Sequence, residues 1–325
     1  MVVIIPAISF CATFLLLAVF LKSQILVRIA DIPNERSLHV QPVPRIGGIA
    51  MVCGVILAAL LLPGWPSWAV IASAALLVAV SMADDIRGMA VRWRFLAHGV
   101  AAVMFVTWGL PQPLSAIGTL TLALLIIWMT NLYNFMDGSD GLAGGMATIG
   151  FSAYGAGAWF AGAEGFALLN FSVATAALAF LRYNFSPAKV FMGDTGSIPL
   201  GFLAASGGAL GWQRDIWPVW FPFLVFSPFL VDASVTLVRR LLRGERVWRA
   251  HKEHYYQRLV QAGWGHRRTA LMEYILMIGV ALSALYGARQ PIPGQLVILA
   301  VWAVIFLILC LSLEWHWRSA TARKS

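Results

Sequence analysis

Eleven apolar runs recur along this 325-residue chain, roughly at 2–21, 46–62, 65–82, 95–110, 114–130, 142–161, 166–181, 198–212, 216–238, 270–286 and 296–313. Hydrocarbon holds no water to satisfy backbone N–H and C=O groups, so such runs can be accommodated there only as helices. The expected fold is therefore all-α: a polytopic integral membrane protein of about eleven transmembrane helices, ten being the other count the runs allow. Several runs of fifteen or sixteen residues fall short of the roughly twenty that cross a bilayer, so these borrow flanking residues or are re-entrant. Only 11% of residues are charged, and 239–268 is the one long polar segment, which leaves 1–325 as a single polytopic domain.

Orientation follows from the positive charges. The first run has no basic residue ahead of it, while Lys22 and Arg28 follow it, which is not the layout of a cleaved signal peptide. Placing its start outside and alternating the loops puts 21 of the 23 Lys and Arg residues in the cytoplasm, with Arg214 and Arg289 outside. Orientation and anionic lipid thereby account for the net charge of +9, and no nucleic-acid partner is needed. Cys11, Cys53 and Cys310 fall inside runs without metal spacing and read as small apolar residues.

The same topology gathers six of the eight aspartates on the cytoplasmic side: Asp31, Asp84, Asp85, Asp137, Asp140 and Asp194. Asp31 reads as a solvated loop residue. The others keep closer company. In NLYNFMDGSDGL, Asn131, Asn134, Asp137 and Asp140 recur every third residue, which stacks them about 5–6 Å apart if the helix continues, and the glycines that follow mark a tight turn. SMADDIRG sets Asp84 beside Asp85, two like charges that raise each other's pKa unless a cation is near. FMGDTGS holds Asp194 in a glycine-bracketed turn behind Phe191 and Met192. Hard oxygen ligands on one face suit Mg²⁺ or Mn²⁺, which usually carry substrate phosphates as well. In RAHKEHYYQRLVQAG, His251, His254 and Arg258 fall at i, i+3 and i+7, one stripe of a helix that Gly263 would end. With Arg249 and Lys252 beside it, that stripe is either an anion clamp or a basic amphipathic helix lying on anionic lipid. Asp232 is either a site residue or one half of a structural pair with an arginine.

In their order and on their membrane face, these motifs resemble those of the polyprenyl-phosphate N-acetylhexosamine-1-phosphate transferases, as does the upstream stretch SLHVQPVPRIGG, residues 37–48. The likeness covers 37 to about 266. The H-x-x-H followed by Tyr-Tyr-Gln is closest to the bacterial enzymes that start O-antigen or similar surface glycans, and it departs from the three adjacent histidines of the peptidoglycan branch. The resemblance implies an inner-membrane enzyme with a cytoplasmic site that uses Mg²⁺, or Mn²⁺, to move a sugar 1-phosphate from a UDP-N-acetylhexosamine to polyprenyl phosphate, releasing UMP. It implies Asp194 as the principal metal ligand, with Asp137 and Asp85 in the metal shell and Asp84 and Asp85 near the lipid phosphate. Asn131, Asn134, Asp137 and Asp140 would serve the uridine side, Phe191 would stack on uracil, and His251, His254 and Arg258 would bind the diphosphate. Arg45, Gly47 and Gly48 would help to close the site.

Other classes fit less well. A secondary transporter would also show many spans and a few buried acids such as Asp232 and Glu273, but its acids should cluster at the midplane and not at one face. The N-acetyl sugar, the chain length of the lipid and the oligomeric state, a homodimer being one arrangement open to it, are not written in any motif.

Overall fold

Each of the eleven apolar runs becomes helical, as backbone satisfaction in hydrocarbon requires. The computed structural model describes residues 3–23, 30–31, 42–64, 66–246 and 251–322, so 37–41 of the first-loop motif and Arg249 lie outside the described residues. The helices are α1 (Ile4–Lys22), α2 (Gly47–Ala59), α3 (Trp68–Arg87), α4 (Val91–Trp108), α5 (Ala116–Phe135), α6 (Leu142–Phe160), α7 (Glu164–Asn184), α8 (Asp194–Gln213), α9 (Trp220–Val225), α10 (Ser227–Leu242), α11 (Tyr255–Leu259), α12 (Gly265–Gly287) and α13 (Ile292–Ala322). One small departure from all-α is an antiparallel pairing of β1 (Ala30–Asp31) with β2 (Val43–Pro44).

Six stretches among the described residues are long and apolar enough to cross a membrane: α1, α3, α5, α7, the stretch Tyr255–Gly287, and α13 over Ile292–Trp317. The chain is thus a multi-pass membrane protein. Other runs fall short for identifiable reasons. Helix α2 has only 13 residues. The ninth run breaks into α9 and α10, because Pro228 at the start of α10 has no N–H to continue the ladder. The Leu224 carbonyl accepts from Ser227 Oγ instead, at 2.7 Å. Helices α6 and α8 are rich in glycine and are buried along most of their length, so they face protein rather than lipid and need less apolar surface.

Around this centre, α5 packs on α8, α6 on α7, and α3 on α8, while α1 and α2 close over α7. The tightest of the contacts that position the site is at the head of α2. Gly47 N–H donates to Phe191 O (2.9 Å) and Gly48 N–H to Met192 O (2.8 Å), so backbone joins α2 directly to the loop before α8. A Cβ on Gly48 would lie 2.2 Å from Gly196 N and 2.6 Å from Gly196 Cα. These glycines, expected to help close the site, act one layer behind it as a close-approach contact.

That contact predicts a specific sensitivity. Gly48→Ala should destabilise the purified protein by about 1–3 kcal/mol, the usual penalty of forcing extra volume into a packed contact. Gly64→Ala, where a Cβ meets nothing within 4 Å, is the control. Thermal unfolding in detergent checks both, and equal midpoints would contradict the packing argument.

Candidate active site

Four helices deliver polar ends to one end of the bundle. Asp84 and Asp85 close α3, Arg94 lies in the first turn of α4, Asn134 is in the last turn of α5, and Asp194 opens α8. The Arg94 guanidinium is shared: Nη1 lies 3.0 Å from Asp84 Oδ2 and Nη2 lies 2.7 Å from Asp194 Oδ2. Oriented by its neighbours, the Asn134 amide donates to Asp194 Oδ1 (3.2 Å) and Ser197 Oγ (2.8 Å) and accepts from Arg94 Nη2 (3.2 Å). Asp85 satisfies the first turn of α8, accepting from Asp194 N–H (3.1 Å), Thr195 N–H (2.9 Å) and Thr195 Oγ (2.6 Å). This is a side-chain cap supplied by another helix. Gly193 at φ 70° makes the preceding turn, a conformation that favours glycine.

The carboxylates crowd one another. Burial, and behind it Asp85 and Asp84, raise Asp194 to about 6 against the opposing pull of Arg94. Half-buried Asp137, in the turn after α5, is also pushed well above the usual carboxylate range, by burial first and then by Asp194 and Asp85. Arg45 moderates it and is itself paired with Asp31 (2.5 Å), the acid that sequence reading left as a solvated loop residue. Phe191 is joined to the residue before Arg45, its N–H donating to Pro44 O (2.9 Å). Among the described residues, no three acidic, histidine or cysteine side chains already surround one point as a metal cage.

The histidines form a second wall, built differently from the expected stripe. Residues 251–254 are not helical, and α11 begins only at Tyr255. Asp232 of α10 is the reason: its two oxygens accept from Tyr255 N–H (2.8 Å) and Tyr256 N–H (3.0 Å), and His254 Nδ1 lies 3.3 Å away. The chain enters the helix there, about one turn later than a stripe starting at His251 requires. Asp232 thus has a structural task, and its partners among the described residues are backbone, the Thr236 hydroxyl (3.3 Å) and His254, with no arginine among them. His251 and His254 still meet, with ring centroids 4.8 Å apart. Tyr256 OH donates to Phe135 O (3.0 Å), which seats this segment on the end of α5 next to the Asp137 turn. Burial, with His254 and Arg240 nearby, lowers His251 to about 4, so it is neutral at pH 7 and offers an N–H donor rather than a full charge.

Three expected residues go elsewhere. Asn131 is buried one turn down α5, donating to Ile127 O (2.7 Å) and lying 3.1 Å from His98 Nδ1. Every third residue drifts round a helix of 3.6 residues per turn, which is why Asn131 and Asn134 face different neighbours. Asp140 accepts from Ala188 N–H (3.1 Å) near His266 and locks the loop after α7. Arg258 turns away from the histidines to Glu253 (3.3 Å) and Glu314 (3.1 Å). In exchange, Arg94, Thr195 and Ser197 join the site. Arg94 carried a signal: it is the last charge before an otherwise uncharged run.

Away from the polar cluster, an apolar cavity of about 220 Å³ lies between α5, α8, α9 and α10, its lining running from Leu114 and Trp212, at the far ends of α5 and α8, to Met129 and Leu230. Met129, its lining residue nearest the site on α5, lies five residues before Asn134, so the cavity ends about 7–8 Å short of it along the helix.

Comparison with known proteins bears on these residues. Residues 67–209, which hold Asp84, Asp85, Arg94, Asn134, Asp137 and Asp194, match the family described as Glycosyl transferase family 4. The chain is 34% identical to the decaprenyl-phosphate N-acetylglucosaminephosphotransferase of Mycolicibacterium smegmatis, covering 85% of this chain and 79% of that protein. It is 28% identical to the probable undecaprenyl-phosphate N-acetylglucosaminyl 1-phosphate transferase of Bacillus subtilis, covering 91% and 87%. Identity is 26% to the undecaprenyl-phosphate alpha-N-acetylglucosaminyl 1-phosphate transferase of Escherichia coli K12, covering 90% and 86%.

The histidine wall should depend on Asp232. Asp232→Ala leaves two backbone N–H groups without their acceptor, at about 1–3 kcal/mol, so amides 255–259 should exchange hydrogen roughly ten- to a hundredfold faster while those of α8 do not change. Unchanged exchange at 255–259 would show that Asp232 does not hold the segment.

Proposed function

The chain belongs to the polyprenyl-phosphate N-acetylhexosamine-1-phosphate transferases, and from that premise we propose that it transfers N-acetylhexosamine 1-phosphate from a UDP-sugar to polyprenyl phosphate, releasing UMP. We read this as the first membrane step of O-antigen or a related lipopolysaccharide or envelope glycan, in a bacterial inner membrane with the site facing the cytoplasm. The observation that carries the proposal is the convergence of Asp84, Asp85 and Asp194 around Arg94 and Asn134, from α3, α4, α5 and the distant α8, beside the His251–His254 wall.

The acceptor phosphate has a second pKa of about 6 and is mostly dianionic at neutral pH, so it needs little help as a nucleophile. One of its oxygens attacks the β-phosphorus of the donor in line. The bond from that phosphorus to the oxygen bridging toward the α-phosphate breaks, and UMP departs with the electron pair. Most of the catalytic work is then alignment and charge neutralisation. Arg94 meets the reacting phosphates as the fixed cation of the site, Asp84 orients the acceptor or takes its last proton, and the histidines donate N–H groups to the diphosphate. Asn134 and the Asp137 turn serve the uridine side with Phe191. A rival scheme, in which a carboxylate attacks first, uses the same residues.

The donor set fits a divalent cation. It is made of hard carboxylate oxygens, and their mutual crowding at Asp194 and Asp137 is relieved by added positive charge. Asp194, Asp137 and Asp85 would hold Mg²⁺ or Mn²⁺, which supplies neutralisation of the diphosphate when bound. The charged phosphate of the polyprenyl acceptor is too costly to bury in hydrocarbon, so it waits at the inner headgroup level while its prenyl tail stays in the bilayer.

Mass spectrometry of the lipid formed from a panel of UDP-N-acetylhexosamines should give a polyprenyl diphosphate sugar for at least one donor, with one UMP per lipid. Asp194→Asn should cut turnover roughly a thousandfold with the fold intact, because an anionic ligand is lost where diphosphate charge is balanced. Product formation by this variant at the unsubstituted rate would sink the assignment.

Orientation has its own test. In a background without Cys11, Cys53 and Cys310, a cysteine replacing exposed Arg87 should resist an impermeant thiol reagent in intact cells, and one replacing exposed Gln112 should react. The reverse pattern would put the site on the wrong side for a nucleotide sugar.

A further inference from the structure

Helix α13 is the least embedded long element: no residue in its most apolar window is buried, so most of its length lies against lipid. Its far end behaves differently. Glu314 Oε1 pairs with Arg239 Nη1 and lies 3.1 Å from Arg258 Nη1. Arg258 is buried and sandwiched, its guanidinium 5.9 Å from the Tyr255 ring and 5.2 Å from that of Trp317 on α13. Arg239 also lies over Tyr255, at 5.5 Å.

The same guanidiniums serve Glu253, which with Lys252 separates the two histidines of the site. Glu253 is reached by Arg258 (3.3 Å), Arg243 (2.5 Å), Arg240 (3.6 Å) and Arg239 (3.9 Å), and its own N–H donates to His251 Nδ1 (3.3 Å). Glu245 takes part of the load, accepting from Arg240 and Arg243 at 2.7 Å each. Glu314 takes the other part. Without it, Glu253 would be the one carboxylate left to these two guanidiniums among the described residues, and a carboxylate claimed from four sides moves toward the new balance of charge. His251 and His254, on either side of Glu253, would move with it.

We propose that Glu314 is a positioning residue for the donor: by holding Arg239 and Arg258 from the end of a lipid-facing helix, it leaves Glu253 where it presents His251 and His254 to the diphosphate. This rests on the reading that these histidines grip the donor. It assigns α13 a task in the reaction beyond occupying the bilayer, and it names Arg258 as the link between Glu314 and Glu253 instead of a substrate ligand.

The test is steady-state kinetics of full-length protein in detergent, with UDP-N-acetylhexosamine and polyprenyl phosphate varied separately. Glu314→Gln should raise the donor KM about tenfold while the acceptor KM stays within about twofold, a split that general loosening of the fold does not produce. Glu314→Asp, which keeps the charge, should recover part of the loss. Combined with His251→Ala, Glu314→Gln should add little, because both act on one contact. Should the Gln variant not fold, Arg258→Lys tests the same link, since a lysine cannot fork between two carboxylates, and the same donor-selective rise is expected. If His251→Ala raises the donor KM but the Glu314 and Arg258 variants leave it unchanged, the positioning role is overturned and the donor reading stands. If His251→Ala does not affect the donor KM, both fall together.

Discussion

One guanidinium ties the working end of this bundle together. Arg94 reaches Asp84 on α3 and Asp194 on α8, and through Asn134 it engages α5, so four helices meet at a single charge-assisted knot. Carboxylates crowded at the rim of an apolar bundle cannot all remain ionised without positive charge among them. That need brings α4 close to α3 and α8, and it keeps the cluster at the end of the bundle, where water and phosphates can reach it.

The two walls of the site are supported by different physics. The carboxylate wall rests on helix termini, with Asp85 capping α8 and Gly48 letting α2 press its backbone against the turn that carries Asp194. The histidine wall rests on side chains: Asp232 receives the first amides of α11, Tyr256 pins it to α5, and a set of arginines and glutamates holds the flank. Termini of packed helices move little, whereas a wall hung on ion pairs can adjust. Neutral His251 fits the second description, since it adds hydrogen bonds to an arriving anion without a standing charge to be balanced in its absence.

Buried polar groups that at first suggest chemistry are, in several cases, keeping the frame. Asn131 with His98, Asp140 with the loop at Ala188, and Asn184 between Gly141 and Val190 each satisfy groups that hydrocarbon would leave unpaired. Such residues crowd next to a membrane enzyme's site because helices must end there and their last carbonyls and first amides need partners.

Hydrophobic runs were enough to indicate an all-helical membrane protein, because a bilayer admits few alternatives and the signal is local. The aspartate motifs were equally legible: Asp84, Asp85, Asp137 and Asp194 do converge at one end, since each sits at the mouth of a run and the runs must lie side by side. Tertiary structure decided what each carboxylate does once there. Which acid caps a helix, as Asp85 does, and which is shared by an arginine, as Asp194 is, depends on distances between helices that no periodicity encodes. The stripe through His251, His254 and Arg258 failed for the same reason. Local spacing favoured a helix, but Asp232, about twenty residues earlier, captures the amides of Tyr255 and Tyr256 and starts the helix late, and Glu314, more than fifty residues later, draws Arg258 away. A residue's type limits its chemistry, and its long-range neighbours choose within that limit.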